Sequence, residues 1–260
     1  MTGGAKAITE RVGRDGFAIV PRAVGEERIV ALLSAFDAIS ESAGVRRRGS
    51  VYAIRNLLEA VPPLREVADS PPVRSLVEPL LGADCFAVRA IFFDKTPEAN
   101  WKVAWHQDLS IAVRRRVEAE GFGAWTEKAG VAHVQPPADV LRDMLTLRLH
   151  LDASDETNGP LKVFPGSHLC GRLGAVEIQR WRESREPVEC HVPRGGALLM
   201  KPLLLHASSA SREPRHRRVV HLEFAARELP AGLEWFGESA RENLRFGINA
   251  RLRRGVNFDL

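Results

Sequence analysis

The sequence predicts a mostly β domain with flanking helices, and three observations carry that expectation. Helical periodicity is concentrated in the first third of the chain, where Ile29, Leu32, Leu33, Phe36 and Ile39 recur at helical spacing. Short runs rich in aromatic and β-branched residues, cut by Gly, Pro and Asn-Gly, fill most of the remainder. One of these runs, MLTLRLHLD, alternates Leu145, Leu147, Leu149 and Leu151 with Thr146, Arg148, His150 and Asp152, so its two faces differ in polarity. Helices followed by many short strands pack naturally against an antiparallel double sheet.

Taken in order, FAIVP (17–21) reads as a strand closed by proline, and EERIVALLSAFDAIS as an amphipathic helix. PVRSLVEPLLG is a second helix with Gly82 as its stop. CFAVRAIFFDK (85–95) has strand composition and runs toward the tetrapeptide Trp105-His106-Gln107-Asp108. Residues 109–140 mix charges, glycines and Pro136-Pro137 without a sustained period, which predicts a functional connection such as a lid over a pocket mouth. Asn158-Gly159 and Pro165-Gly166 bracket the short strand LKVF. Strands are expected at 187–193, 197–206 and 219–227. With no internal repeat or linker, the layout is a single domain over 1–260, with helices to about 84, a sheet core over about 85–228 and a tail at 229–260.

Composition excludes several classes. Hydrophobic residues are 45% and charged residues 27% of the 260, enough to build a core without disulfide or zinc staples. Cys85, Cys170 and Cys190 are far apart and form no CxxC, which fits a reducing, cytoplasmic setting. The segment MTGGAKAITERVGRDG lacks the apolar run of a signal peptide, and no stretch approaches the roughly 18 apolar residues of a membrane span. The net charge of +4 is mild, and Arg46-Arg47-Arg48 and Arg114-Arg115-Arg116 read as solvated surface in the absence of a nucleic-acid motif. A small-molecule partner is expected, without nucleic acid or membrane, and the abundance of arginine points to an anionic one.

The chemistry rests on histidines and carboxylates. A mononuclear Fe(II) site for oxygen chemistry uses two histidines and one carboxylate on one face, leaving the other positions open. Alternation lets residues i and i+2 point the same way, so His106-x-Asp108 supplies two ligands. His206, at the end of ALLMKPLLLH, is the candidate third. Arg217 follows at the start of VVHLEF, where a hairpin between the two strands would bring it near the metal, and a guanidinium grips a carboxylate with two hydrogen bonds. Ser208 would add a hydroxyl to the same carboxylate. The pattern is repeated at His150-Leu151-Asp152 and, with a glutamate, at His221-Leu222-Glu223, so spacing alone leaves a rival site open. His133, His168, His191 and His216 read as surface or hydrogen-bonded histidines, and Trp105 as packing.

Together WHQD, NGPLKVFPGSH, LLLHASSASREPRHRRVVHLEFA and the opening DGFAIVPRAVGEERIVALL resemble the phytanoyl-CoA dioxygenase (PhyH) family of Fe(II)/2-oxoglutarate oxygenases, over roughly residues 10–235. The resemblance implies a double-stranded β-helix, or jelly roll, with helices outside. It implies His106, Asp108 and His206 as iron ligands, with Arg217 and Ser208 on the distal carboxylate of the cosubstrate 2-oxoglutarate. The implied reaction uses O2, releases succinate and CO2 and hydroxylates a small molecule. Related halogenases lack the carboxylate ligand, so the presence of Asp108 favours hydroxylation. The chain departs from the family pattern at Arg148, where tryptophan is common, and lacks the asparagine frequent after the distal histidine. Gln135 and Arg148 are candidate substrate or cosubstrate contacts, and Arg55 and Asn56 are weaker ones. A metal-dependent hydrolase and a silent jelly-roll binding protein remain alternatives on the residues alone.

Overall fold

The protein is described from a computed structural model over residues 3–39, 45–48 and 50–238. A helical layer comes first: α1 (Gly3–Asp15), α2 (Glu26–Asp37), α3 (Leu57–Ala60), α4 (Pro62–Ala68) and α5 (Pro71–Leu81). On α2 the expected stripe of Ile29, Leu32 and Phe36 is buried, while Val30 on the opposite face is exposed. A proline opens α5, where its missing N–H costs nothing, and Gly82 ends it at a φ of 90°. No helix among the described residues is long and apolar enough to cross a membrane.

These helices cover one face of a seven-stranded antiparallel sheet. Its order is β1 (Phe17–Val20), β12 (Ala197–Met200), β9 (Met144–His150), β14 (Arg217–Ala225), β4 (Phe86–Lys95), β3 (Ser50–Ile54) and β2 (Val45–Arg48). A four-stranded sheet completes the jelly roll, in the order β11 (Val188–Cys190), β10 (Leu161–Val163), β13 (His206–Ser208) and β5 (Val103–His106). A third sheet joins β6 (Ile111–Val113), β8 (Val131–Gln135) and β7 (Gly123–Lys128). The architecture is therefore the expected one, mostly β with flanking helices.

Alternation in the central strands decides where the site lies. Leu145, Leu147 and Leu149 of β9 and Val220, Leu222 and Phe224 of β14 pack into one core with Ile29, Leu32 and Leu64 of the helices. Thr146, Arg148 and His150 therefore point the other way, as do Arg217, His221 and Glu223. This polar face is buried too, because it looks into the space between the sheets.

Several expectations are corrected. The strand expected over 197–206 ends at Met200; the chain turns at Lys201-Pro202, where proline cannot donate to a ladder, and His206 opens β13 in the other sheet. His206 and Arg217 are consequently not joined by a hairpin. They lie in facing sheets, with β13 beside β5 and β10, and β14 beside β4 and β9. Residues 109–140 are not an irregular connection: they form the three-stranded sheet and α6 (Ala138–Arg142). Their strands are too short to show a period, yet Ile111, Val113 and Val134 share a second core with Phe122, Leu233 and Trp235. The Arg46–Arg48 run belongs to β2. Helix α7 (Ala175–Ser184) escaped notice because it buries no residue and so carries no apolar stripe.

Candidate active site

The WHQD tetrapeptide resolves into two pairs. Trp105 stacks on Phe164 with ring centroids 4.4 Å apart, as its packing role predicted. Gln107 is a buried lock: its Nε2 donates to the carbonyls of Gly171 and Leu203 at 2.8 and 2.6 Å, and its Oε1 accepts from the Leu173 amide at 2.8 Å. With that side pinned, His106 and Asp108 project from the opposite side. The register of β13 against β5 sets His206 directly across from His106.

The three side chains converge, each offering one ligand atom within 4.8 Å of the others. His106 Nε2 lies 3.7 Å from Asp108 Oδ1, and His206 Nε2 lies 3.8 Å from Asp108 Oδ2. These separations exceed a hydrogen bond and are near the roughly 3–3.5 Å between two ligands of one ion bound at about 2.1 Å. Both Nδ1 atoms contact backbone carbonyls, Ala104 O at 2.8 Å and Leu204 O at 2.9 Å. That fixes the tautomer with the proton on Nδ1 and turns the Nε2 lone pairs toward the cluster. Among the described residues the buried Asp108 Oδ2 has no hydrogen-bond partner, so the donor set fits a cation that completes it. Burial would raise the Asp108 carboxyl, but His206, His106 and His221 outweigh it and hold it well below the usual carboxylate range. Burial pushes His206 down to about 4, the neutral state that a metal ligand requires.

Beside the cluster lies a cavity of about 600 Å³, counting its open mouth. At one end it gathers Arg217 and Ser208, and behind them Lys95. Lys95 and Arg217 are register partners on β4 and β14, and Lys95 Nζ donates to Ser208 Oγ at 3.2 Å and to the Ser209 carbonyl. Arg217 donates to the carbonyl of Gly159, while its buried Nε has no partner among the described residues. Gly159 has a φ of +69°, and a Cβ there would stand 2.5 Å from the Ser209 carbonyl, so the Asn158-Gly159 turn admits no side chain at this approach. Burial, then Arg217 and Arg148, pulls the Lys95 ammonium down to about 7. Burial, then Arg148, pulls the Arg217 guanidinium down to about 9, leaving it charged at neutral pH. Buried cations without an acid are costly, and a bound anion removes that cost.

Comparisons with known proteins show the family and the fold. The family model of phytanoyl-CoA dioxygenase (PhyH) matches residues 12–219. The chain belongs to the phytanoyl-CoA dioxygenase family. No curated protein sequence matches it significantly. Among solved structures, AviO1 from Streptomyces viridochromogenes Tue57 superimposes with a TM-score of 0.64 at 21% identity, over 87% of this chain and 97% of its own. EctD from S. alaskensis, solved with 2-oxoglutarate and 5-hydroxyectoine, gives 0.65 at 17% identity over 87% and 76%. The epimerase SnoN, solved with Fe3+, alpha ketoglutarate and nogalamycin RO, gives 0.63 at 18% identity over 86% and 84%. These likenesses establish the fold.

Within this PhyH-family fold, the other sequence candidates sort cleanly. His221-x-Glu223 is tied into a network with its neighbours. Arg148 donates to His221 Nδ1 at 3.0 Å, His221 Nε2 donates to Glu223 Oε1 at 3.2 Å, and Arg89 pairs with Glu223. Asp152 is taken by Arg218 at 2.8 Å through both carboxylate oxygens, so His150-x-Asp152 is an ion-pair anchor beside a buried neutral histidine. Arg148 lines the cavity and is buried, and among the described residues it has no ion-pair partner and its Nε no hydrogen-bond partner. Gln135 does not line the cavity; it stands two residues from His133 on one face of β8. Neither Arg55 nor Asn56 lines it, and Asn56 instead adopts a left-handed conformation ahead of α3. His133, His168, His191 and His216 contact Val131 O, Gly13 O, Glu189 and Asp94 respectively. Lys95, Arg89 and the role of His221 were missed, because each depends on strand register.

Proposed function

We propose that the protein is an Fe(II)- and 2-oxoglutarate-dependent dioxygenase that hydroxylates a small anionic molecule. The observation that carries this reading is the His106–Asp108–His206 cluster, with its unpartnered Asp108 oxygen, placed beside the acid-free cations Arg217 and Lys95. In this reading His106, Asp108 and His206 hold iron, whose Nε2 and carboxylate donors suit it. Iron with 2-oxoglutarate and O2 supplies the oxidising power, releasing succinate and CO2. Arg217, Lys95 and Ser208 hold the distal carboxylate of the cosubstrate through charge-assisted hydrogen bonds and fix its orientation. Arg148, central and unneutralised, bears on the cosubstrate or substrate carboxylate, and its bond to His221 sets its direction. Ile91, Phe93 and Leu161 exclude water from the reacting carbon. Asp108 fills the third ligand position, which supports hydroxylation over halide transfer. The test is succinate formation from 2-oxoglutarate by the purified protein: it should require Fe(II) and vanish in Asp108→Ala. Iron-independent turnover, or full turnover in that variant, would sink the assignment.

A further inference from the structure

We propose that Arg89 and Arg148 form a two-armed clamp for the carboxylate of the substrate, on the side of the ligand cluster away from Arg217. This rests on the oxygenase reading and adds to it the substrate class, an amphiphilic monocarboxylate. Both arginines line the cavity, and strand register places both. Along the inner face of β14 and β4 the pairs run from Arg217–Lys95, through Val219–Phe93 and His221–Ile91, to Glu223–Arg89. Arg148 of β9 stands beside His221 from the other side. The two arginines therefore reach the middle strand from opposite neighbours. Arg148 Nη1 donates to His221 Nδ1 at 3.0 Å, His221 Nε2 donates to Glu223 Oε1 at 3.2 Å, and Arg89 Nη2 donates to the same oxygen. Each guanidinium thus spends one terminal nitrogen on the brace. Among the described residues the other terminal nitrogen of each has no hydrogen-bond partner. Arg89, Arg148 and His221 line the cavity and Glu223 does not, so the acid braces the clamp from behind.

Charge and spacing separate this clamp from the cosubstrate end. The Arg217–Lys95 and Glu223–Arg89 pairs are six residues apart along β14 and β4, roughly 20 Å, a length that a five-carbon diacid held at Arg217 does not span. Where converging arginines are structural, the fold gives them an acid in common, as Arg194 and Arg218 share Asp152. Arg148 has no such partner among the described residues. Divalent iron and dianionic 2-oxoglutarate cancel one another. Arg89, Arg148 and Arg217 then stand against Asp108 and Glu223, one positive charge in excess before Lys95 is counted. An unneutralised buried cation is costly, and a monoanion removes that cost. Two single donors, one from each arginine, also match the two oxygens of a carboxylate. The apolar part of the substrate has its own surface. Between Lys95 and Arg89 the inner face of β4 carries Ile91 and Phe93, both in the lining. Ile91 is the register partner of His221, whose Nε2 lies 4.0 Å from Asp108 Oδ2. A carboxylate in the clamp therefore lays its hydrocarbon along Ile91, level with the ligand cluster.

The test is anaerobic calorimetric titration of hexanoate, hexan-1-ol and hexyl phosphate into Fe(II)-loaded protein saturated with 2-oxoglutarate. Hexanoate should bind about tenfold or more tightly than hexan-1-ol, which has the same chain without the charge, and more tightly than hexyl phosphate. Two variants should erase that preference: Arg148→Met, and Arg89→Met/Glu223→Gln, which removes both buried charges together and leaves no unpaired acid. In each, hexanoate should weaken about tenfold while hexan-1-ol moves less than about twofold; damage to the fold alone would weaken both. Absence of hexanoate binding, a preference for hexyl phosphate, equal loss of hexanoate and hexan-1-ol, or a preference for hexanoate that survives both variants overturns the clamp. Failure of the oxygenase reading shows separately, as absence of iron-dependent 2-oxoglutarate binding in the same wild-type sample.

Discussion

Two histidine–acid pairs of the same spacing face one cavity, and they have opposite fates. His106 and Asp108 lie on β5 and just beyond it; His106 Nδ1 is held by a backbone carbonyl, and among the described residues Asp108 Oδ2 is left unpartnered. His221 and Glu223 lie on β14, where both ring nitrogens of His221 and Oε1 of Glu223 are taken, by Arg148, by each other and by Arg89. Only 4.0 Å separates His221 Nε2 from Asp108 Oδ2, so distance does not distinguish the pairs. What distinguishes them is satisfaction. A metal centre is a set of donors that the fold leaves unsatisfied, and a structural network is a set that it closes.

The largest effect that separates the pairs is on turnover. Asp108→Ala should lose 2-oxoglutarate turnover by more than the about 100-fold typical of supporting residues around a metal, with iron content measured on the same sample. Glu223→Gln should keep iron but leave Arg89 as a buried unpaired cation, lowering stability by about 3–5 kcal/mol in urea unfolding. Equal iron loss in both variants would erase the distinction.

Smaller effects sharpen the anion end. Arg217→Ala should raise the 2-oxoglutarate Kd about 10–100-fold with iron retained, measured by anaerobic titration. Lys95 adds a pH signature. Its free-state value near 7 lies below that expected with a carboxylate bound. Below pH 7 the proton is present in both states and affinity is level. Above pH 7 binding takes up a proton, so affinity falls, by up to about tenfold per unit. Lys95→Met should flatten that profile; an unchanged slope would remove Lys95 from the site.

The ligand set was legible because strand alternation places His106 and Asp108 on one side and Trp105 and Gln107 on the other. His206 and Arg217 were legible through their order in the chain, but the hairpin expected between them was wrong. Pro202 breaks the strand, and the two residues meet across the gap between sheets. Lys95 reads as a solvent-facing strand end in FFDK. It is buried only because Arg217 and the Gly159 turn close over it. The Arg89–Glu223–His221–Arg148 chain needs the register of three paired strands, which no local pattern encodes. The small sheet over 111–135 hid for a different reason: strands of three to six residues carry too few positions to show alternation.

The most direct test is optical. Fe(II) and then 2-oxoglutarate are added anaerobically to the metal-free protein, and the weak visible charge-transfer band of the chelate is followed. The wild type and Glu223→Gln should develop the band, and Asp108→Ala should not. A folded, iron-binding wild type that stays colourless, or an Asp108→Ala variant with an undiminished band, would contradict the assignment of His106, Asp108 and His206 as the iron site.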